Sequence, residues 1–187
     1  MSAANGVIGE VDEALRELVR REAVPGSGAE VLLSAPDAEQ VAGGAAAAVH
    51  LSLYDIREDL SKRRQGMINE FNADGAVTAR HRPPRYVSLS YAVAVRAREP
   101  EEEHRLLGAI LRVLLAHDTV PAGLLTGSLA ELGLPVTITA ACPPLAEPAV
   151  DFRPFVNVVV SAPITPRAPE PAAPPVRSPL GVRAEGL

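Results

Sequence analysis

Tryptophan is absent from the sequence, and phenylalanine and tyrosine occur three times each, so an interior has to be filled with aliphatic side chains. The single cysteine, Cys142, excludes an internal disulfide and with it the disulfide-stapled class of small secreted folds. Lysine is almost missing, with Lys62 set against seventeen arginines, a bias that together with the many alanines is read as coding composition and not as function. The net charge of −5 argues against a dedicated nucleic-acid binder, which would carry a basic domain or stripe, while leaving room for a local basic patch. No stretch reaches the roughly 18 unbroken apolar residues of a membrane span. The opening residues MSAANGVIGEVDEAL have neither the charged nor the apolar region of a secretory signal. The expectation is a soluble protein made and assembled in the cytoplasm.

Catalytic signatures are missing too. There is no G-x-S-x-G elbow, no Walker loop and no G-x-G-x-x-G. His50, His81, His104 and His117 show no metal-ligand spacing with one another or with Cys142. No metal or cofactor is expected, and the residues alone support no reaction type, which favours a binding or structural role over an enzymatic one.

What is present is a strand running into a helix. From Tyr86 to Ala97 the residues alternate, with Val87, Leu89, Tyr91, Val93 and Val95 on one face and Ser88, Ser90, Ala92, Ala94 and Arg96 on the other. Pro100 suits the first turn of a helix, and Glu101, Glu102 and Glu103 place negative charge near the positive end of its dipole. These glutamates could be imagined as an acid–base pair; their place in a first turn explains them without catalysis. Leu106, Leu107, Ile110, Leu111, Leu114 and Leu115, with Val113, then make an apolar surface wider than a simple amphipathic stripe. This helix is expected to be the largest single contributor to the core or to a subunit interface.

The rest of the chain is arranged around that unit. Val7, Ile8, Val11, Leu15, Leu18 and Val19 recur at helical spacing, with Asp12 and Arg16, and Glu17 and Arg21, as i,i+4 pairs, predicting a helix over Val7 to Glu22. Short or alternating strands are expected at Glu30 to Ser34, Val49 to Arg57 and Pro135 to Ala140. In the second of these Val49, Leu51 and Leu53 face one way and His50, Ser52, Tyr54 and Ile56 the other. One or two helical turns are expected over Asp37 to Ala42. Phe155 to Ser161 is a near-continuous β-branched run, the pattern of a strand in the interior of a sheet. Leu124, Leu125, Leu129 and Leu132 need burial in a region that Pro121, Gly123, Gly127 and Gly133 make irregular. The fold class is α/β (α+β): a mixed sheet packed with helices over residues 1–166, followed by a Pro-rich extended or disordered tail over 167–187.

Between Glu58 and Arg85 the apolar rhythm disappears. The stretch is a protruding loop or hairpin, and with its neighbours it holds Arg57, Arg63, Arg64, Arg80, Arg82 and Arg85. Those arginines are candidate contacts to phosphate or to acidic protein surfaces, or else simply a solvated loop.

The succession VDEALRELVRRE, VHLSLYDIRED, RPPRYVSLSYAVAVRA, EEEHRLLGAILRVLLAHDTVP and FVNVVVSAPITP resembles the N-terminal domain of the cap, or terminator, proteins of extracellular contractile injection systems, which are phage-tail-like particles. The resemblance covers about Val7 to Pro166 and rests on the order of five segments, none of which carries a catalytic motif. It implies a phage tail-terminator-like fold and a non-enzymatic structural protein. It also implies a homo-oligomer, a hexameric ring on the distal end of the inner tube that stops tube growth and holds the last sheath ring. The implied partners are therefore the tube protein and the sheath protein. Another tail-completion or adaptor component of such a particle is the nearest alternative, and a small enzyme or ligand-binding domain the more distant one.

Overall fold

The computed structural model describes residues 6–35, 47–141, 154–165 and 170–171. They fall into two units, one from Met1–Arg63 with Arg85–Ile164 and one from Arg64–Pro84 with Thr165–Leu187. The turns expected over Asp37 to Ala42 lie outside the described residues, as does Cys142.

The first unit is a five-stranded mixed sheet in the order β1-β2-β5-β7-β6. Its strands are β1 (Glu30–Leu32), β2 (Ala47–Glu58), β5 (Arg85–Ala97), β6 (Thr137–Ala141) and β7 (Phe155–Ile164). Only β1 runs parallel to its neighbour. The interior position expected for the Phe155 run is found: β7 lies between β5 and β6. Helices α1 (Val7–Leu18), α2 (Pro100–Ala116) and α3 (Gly127–Leu132) cover one face. There Leu89, Tyr91 and Val93 of β5, Val158 and Val160 of β7 and Val49 and Leu51 of β2 pack with Val11, Leu15, Leu18, Leu106 and Ile110. The core is aliphatic, as the shortage of aromatics requires. Tyr91 is the largest fully buried side chain.

Three local features depart from the expected pattern. The register of β2 on β5 slips between Leu53 and Asp55, a bulge at Tyr54. One extra residue inverts the alternation beyond it. Ile56 therefore pairs with Leu89, on the face of Val49 and Leu51 and opposite to the side the simple alternation assigns it. Helix α1 ends in a π turn over Val19–Ala23, and on α1 the buried positions include Glu10 and Ala14 while Ile8 is exposed. The irregular segment after α2 contains a 3₁₀ turn (Ala122–Leu124) and α3, a six-residue helix that the sequence pattern does not announce. Leu129 of α3 is nevertheless fully buried.

The second unit is a three-stranded sheet, β3-β4-β8, of β3 (Ile68–Phe71), β4 (Val77–His81) and β8 (Glu170–Pro171). Of the two readings of the Glu58 to Arg85 excursion, the structure takes the hairpin. The Asn72 side chain accepts hydrogen bonds from the backbone N–H groups of Asp74 (3.1 Å) and Ala76 (2.8 Å), and Gly75 takes the positive φ of +78° that closes the turn at little steric cost. Glu170 and Pro171 fall in the segment read as a tail.

Candidate interaction surfaces

Helix α2 divides its apolar residues between two surroundings. Pro100 opens it, and Glu103 Oε1 accepts the Ala97 backbone N–H at 3.1 Å, so one of the three glutamates fastens the helix start to the end of β5. Glu102 pairs with Arg105. Leu106, Leu107, Ile110 and Leu114 are buried. Leu111 and Leu115, one turn apart, are 39% and 67% exposed. The sheet uses one stripe of the helix, and the surplus that the sequence shows consists of these two leucines beside Gly108 and Arg112, which are also exposed. At the helix end His117 hydrogen-bonds the Val113 carbonyl through Nδ1 at 3.0 Å, and its Nε2 stands 3.5 Å from Glu22.

The six arginines separate by unit. In the first unit Arg57 pairs with Asp55 at 2.7 Å, and Arg63 and Arg85 share Glu58. In the second unit Arg64, Arg80 and Arg82 are exposed, and none makes an ion pair among the described residues. The structure therefore does not bring the six together as one patch. Three are paired with two carboxylates, Asp55 and Glu58, and three have no ion pair among the described residues.

Lys62, the single lysine, lies in the Glu58 to Arg85 stretch but belongs to a polar cluster on the sheet face opposite the helices. Lys62 Nζ donates to Thr137 Oγ1 and Ser161 Oγ, both at 3.0 Å, and stands 5.0 Å from the centre of the Tyr86 ring. Ser161 Oγ in turn donates to Asp59 Oδ2 at 3.0 Å, while Asp59 Oδ1 accepts the Ser61 backbone N–H at the start of the 3₁₀ turn Leu60–Lys62. Hydrogen bonding from Ser61 holds the Asp59 carboxyl below its ordinary range, against the opposing effect of burial, with Ser161 and Lys62 adding to it. The cluster ties the end of β2 to β6 and β7. Nothing in the local sequence signals it, because Thr137 and Ser161 lie 75 to 102 positions from the Lys62 and Asp59 they bond.

Two carboxylates of α1 also escaped the sequence pattern. Glu10 is buried and accepts the backbone N–H groups of Ser128 (3.0 Å) and Leu129 (2.9 Å) and the Ser128 hydroxyl (2.9 Å). It satisfies the first free amides of α3 from another helix. Gly127 has φ +53°, and a Cβ there would meet the Glu10 carboxylate, lying 2.8 Å from its Cδ. The close approach therefore needs glycine. Asp12 does not pair with Arg16 as the i,i+4 spacing suggests: Arg16 turns to Glu13, and Asp12 accepts the Tyr91 hydroxyl at 2.7 Å. Burial raises the Asp12 pKa, and the hydrogen bond from Tyr91 works against that rise. Burial first, and then the hydrogen bond to Asp12, raise the Tyr91 pKa. The second expected pair forms, with Glu17 bonded to both Arg20 and Arg21.

Between α3 and the segment before β6 lies an open groove of about 370 Å³. Its lining includes Val120, Pro121, Leu125, Leu129 and Pro135, and the hydroxyl of Thr119 is the one side-chain polar group among the residues that line it. A substrate site needs several converging polar groups, and this groove does not offer them. Among the described residues no three His, Cys, Asp or Glu side chains are placed to hold a metal ion, and no helix is long and apolar enough to cross a membrane.

The fold is similar to two solved structures. One is the sheath/tube terminator of the PVC extracellular contractile injection system in its extended state, with TM-score 0.64 and 18% identity over 94% of this chain and 62% of that one. The other is the tube-terminating cap of the anti-feeding prophage, with TM-score 0.61 and 21% identity over 90% of this chain and 58% of that one. The chain thus spans about three-fifths of the length of each. No curated protein matches it. Residues 10–178 match the Pvc16 N-terminal domain, and the chain belongs to that family.

Proposed function

We propose that this protein is the structural cap of a phage-tail-like contractile injection particle: a ring on the distal end of the inner tube that ends tube growth and anchors the last sheath ring. The observation that carries the reading is the fold. Nearly the whole chain superposes on a sheath/tube terminator and on a tube-terminating cap. In this role the chain is not an enzyme, and it is assembled in the cytoplasm onto a tube made there.

A subunit of a closed ring offers two complementary surfaces to its neighbours, and a stable interface covers on the order of 800 Å² on each partner. The exposed Leu111 and Leu115 of α2 support a place in such an interface, because isolated apolar residues one turn apart form a row that a neighbouring element can cover. The ring is a hexamer on this reading, matching a six-fold tube. Arg64, Arg80 and Arg82, lacking carboxylate partners among the described residues, are the residues for contact with tube or sheath.

The test is removal of the protein from the assembling particle. Tubes then run to irregular lengths and sheaths fall from the distal end. Particles of normal length with intact sheath would contradict the reading.

A further inference from the structure

After β2 ends at Glu58, residues 59–63 run over the sheet face opposite the helices and bond three strands in turn. The Asp59 backbone N–H donates to the Tyr86 carbonyl of β5 at 2.8 Å. The Asp59 carboxylate accepts the Ser161 hydroxyl of β7 at 3.0 Å. Lys62 Nζ donates to the same hydroxyl and, beyond it, to Thr137 Oγ1 of β6, both at 3.0 Å. Because these strands are ordered β5-β7-β6, the short segment spans all three. No apolar residue of the segment is buried: the 3₁₀ turn Leu60–Lys62 has no buried residue, and Leu60 is 64% exposed. Within the turn the Lys62 N–H reaches the Asp59 carbonyl, and the Arg63 N–H the Leu60 carbonyl, at 3.3 Å each, just past the ordinary range. The strands it crosses are held differently, with Leu89 of β5 and Val160 of β7 fully buried.

We infer that residues 59–63 form a releasable strap, which opens from the sheet as a unit while the sheet stays folded, with Lys62 as the residue that holds it shut. Apolar burial is what makes a segment costly to detach. Polar contacts are exchanged for water at little net cost, so a segment that buries no apolar residue opens ahead of the core strands beside it. The choice of residue agrees. In a chain with seventeen arginines and one lysine, the lysine stands where three acceptors converge, the two hydroxyls and Asp59 Oδ2 at 3.7 Å. An ammonium is a compact charge with three rotatable donors, whereas the donors of a guanidinium are fixed in a planar fork.

Position gives release a consequence. Arg63 is the last residue of the first unit before the chain enters the second, and the chain returns at Arg85. Both arginines pair with Glu58, the residue at which the strap begins. A closed strap fixes the point from which the second unit starts, and an open one frees it. The inference rests on the contacts of the strap alone and is independent of the cap reading.

The full chain tests this directly, because an acylating reagent meets only one lysine side chain. With an acetyl N-hydroxysuccinimide ester at fixed pH and peptide mapping, Lys62 of the folded protein should react about tenfold or more slower than in a synthetic peptide of residues 58–66. The double variant Ser161→Ala with Thr137→Val, which removes both hydroxyls, should raise the rate in the protein about fivefold or more. Amide hydrogen exchange is the second readout. In the double variant and in Lys62→Arg, exchange at residues 61–63 should speed up while exchange at residues 89–93 keeps the wild-type rate. Peptide-like reactivity of Lys62 in the unaltered protein would show that no strap is closed. A labelling rate indifferent to both hydroxyls, or wild-type exchange in Lys62→Arg, would remove Lys62 as the residue that holds it. Equal acceleration at residues 89–93 would show that segment and sheet open together. Each of these results overturns the inference.

Discussion

Apart from β1, the strands of the large sheet and of the small one pair in the same antiparallel way, yet the two sheets treat their side chains in opposite ways. On the helix side of the five-stranded sheet Leu89, Tyr91, Val158 and Val160 have no measurable exposure, and each sits under a helix. In the three-stranded sheet every residue of β3 is exposed, and β4 alternates only between exposed and partly buried positions. Backbone bonds alone contribute little net free energy because water offers the same bonds to the unfolded chain. Small sheets without a covered face are marginal for that reason. The contrast teaches where stability is kept and where contact is offered. The first unit holds its own structure, and the hairpin is available to something else.

The comparison can be broken by substitution. Ile110→Ala on the buried side of α2 should cost about 2–5 kcal/mol, read from the urea midpoint, whereas Phe71→Ala in the hairpin should stay within about 0.5 kcal/mol. Equal costs would dissolve the distinction between the two regions. Glu10→Ala should cost about 1–3 kcal/mol, because it leaves the buried amide donors at the start of α3 unpaired. Gly127→Ala should be comparably harmful, through its clash with the same carboxylate and its positive φ. If Glu10→Ala left thermal stability unchanged, the long-range cap would be decorative.

A pH titration sharpens the same contrast. Asp12 is raised by burial, so its folded form holds a proton that the unfolded form has already lost. Stability therefore falls as pH rises from the unperturbed 3.8 through the raised value, and is level above it. Asp12→Asn, which keeps an oxygen for the Tyr91 hydroxyl, should flatten that slope. Exposed Glu17 acts with the opposite sign. Hydrogen bonds from Arg20 and Arg21 bring it to about 2, and its contribution is lost as pH falls from 4.5 towards that value. The smallest effect on stability is expected at the charged surface. Arg64→Ser, Arg80→Ser and Arg82→Ser should each shift it by less than about 0.5 kcal/mol, while Arg85→Ser should cost up to about 1 kcal/mol through its partly covered pair with Glu58.

Much of the framework was legible because period and punctuation agree. The alternation of Tyr86 to Ala97 marks β5, and Pro100 followed by three glutamates marks the start of α2. The β-branched Phe155 run marks an interior strand. The hairpin had a signal in Asp74-Gly75, a favoured turn pair, but its flanks lack the apolar alternation that would have decided between a hairpin and a loop. The other losses come from residues whose partners are far along the chain. Glu10 serves amides at positions 128 and 129, Asp12 turns from its helical neighbour to Tyr91, and the single extra residue at Tyr54 inverts the facing of Ile56. Short helix α3 exists because another helix completes its first turn and its Leu129 enters the core, and neither fact is local. The arginine set shows the limit most clearly. Six similar side chains in one stretch of sequence become three that are paired and three that are not, according to where Glu58 and Asp55 happen to lie.

The most direct test of the central claim is electron microscopy of assembled particles with this subunit labelled. The account predicts one ring of label on the end of each inner tube away from the baseplate, beyond the last sheath ring. Label along the tube, at the baseplate, or absent from the particle would contradict it.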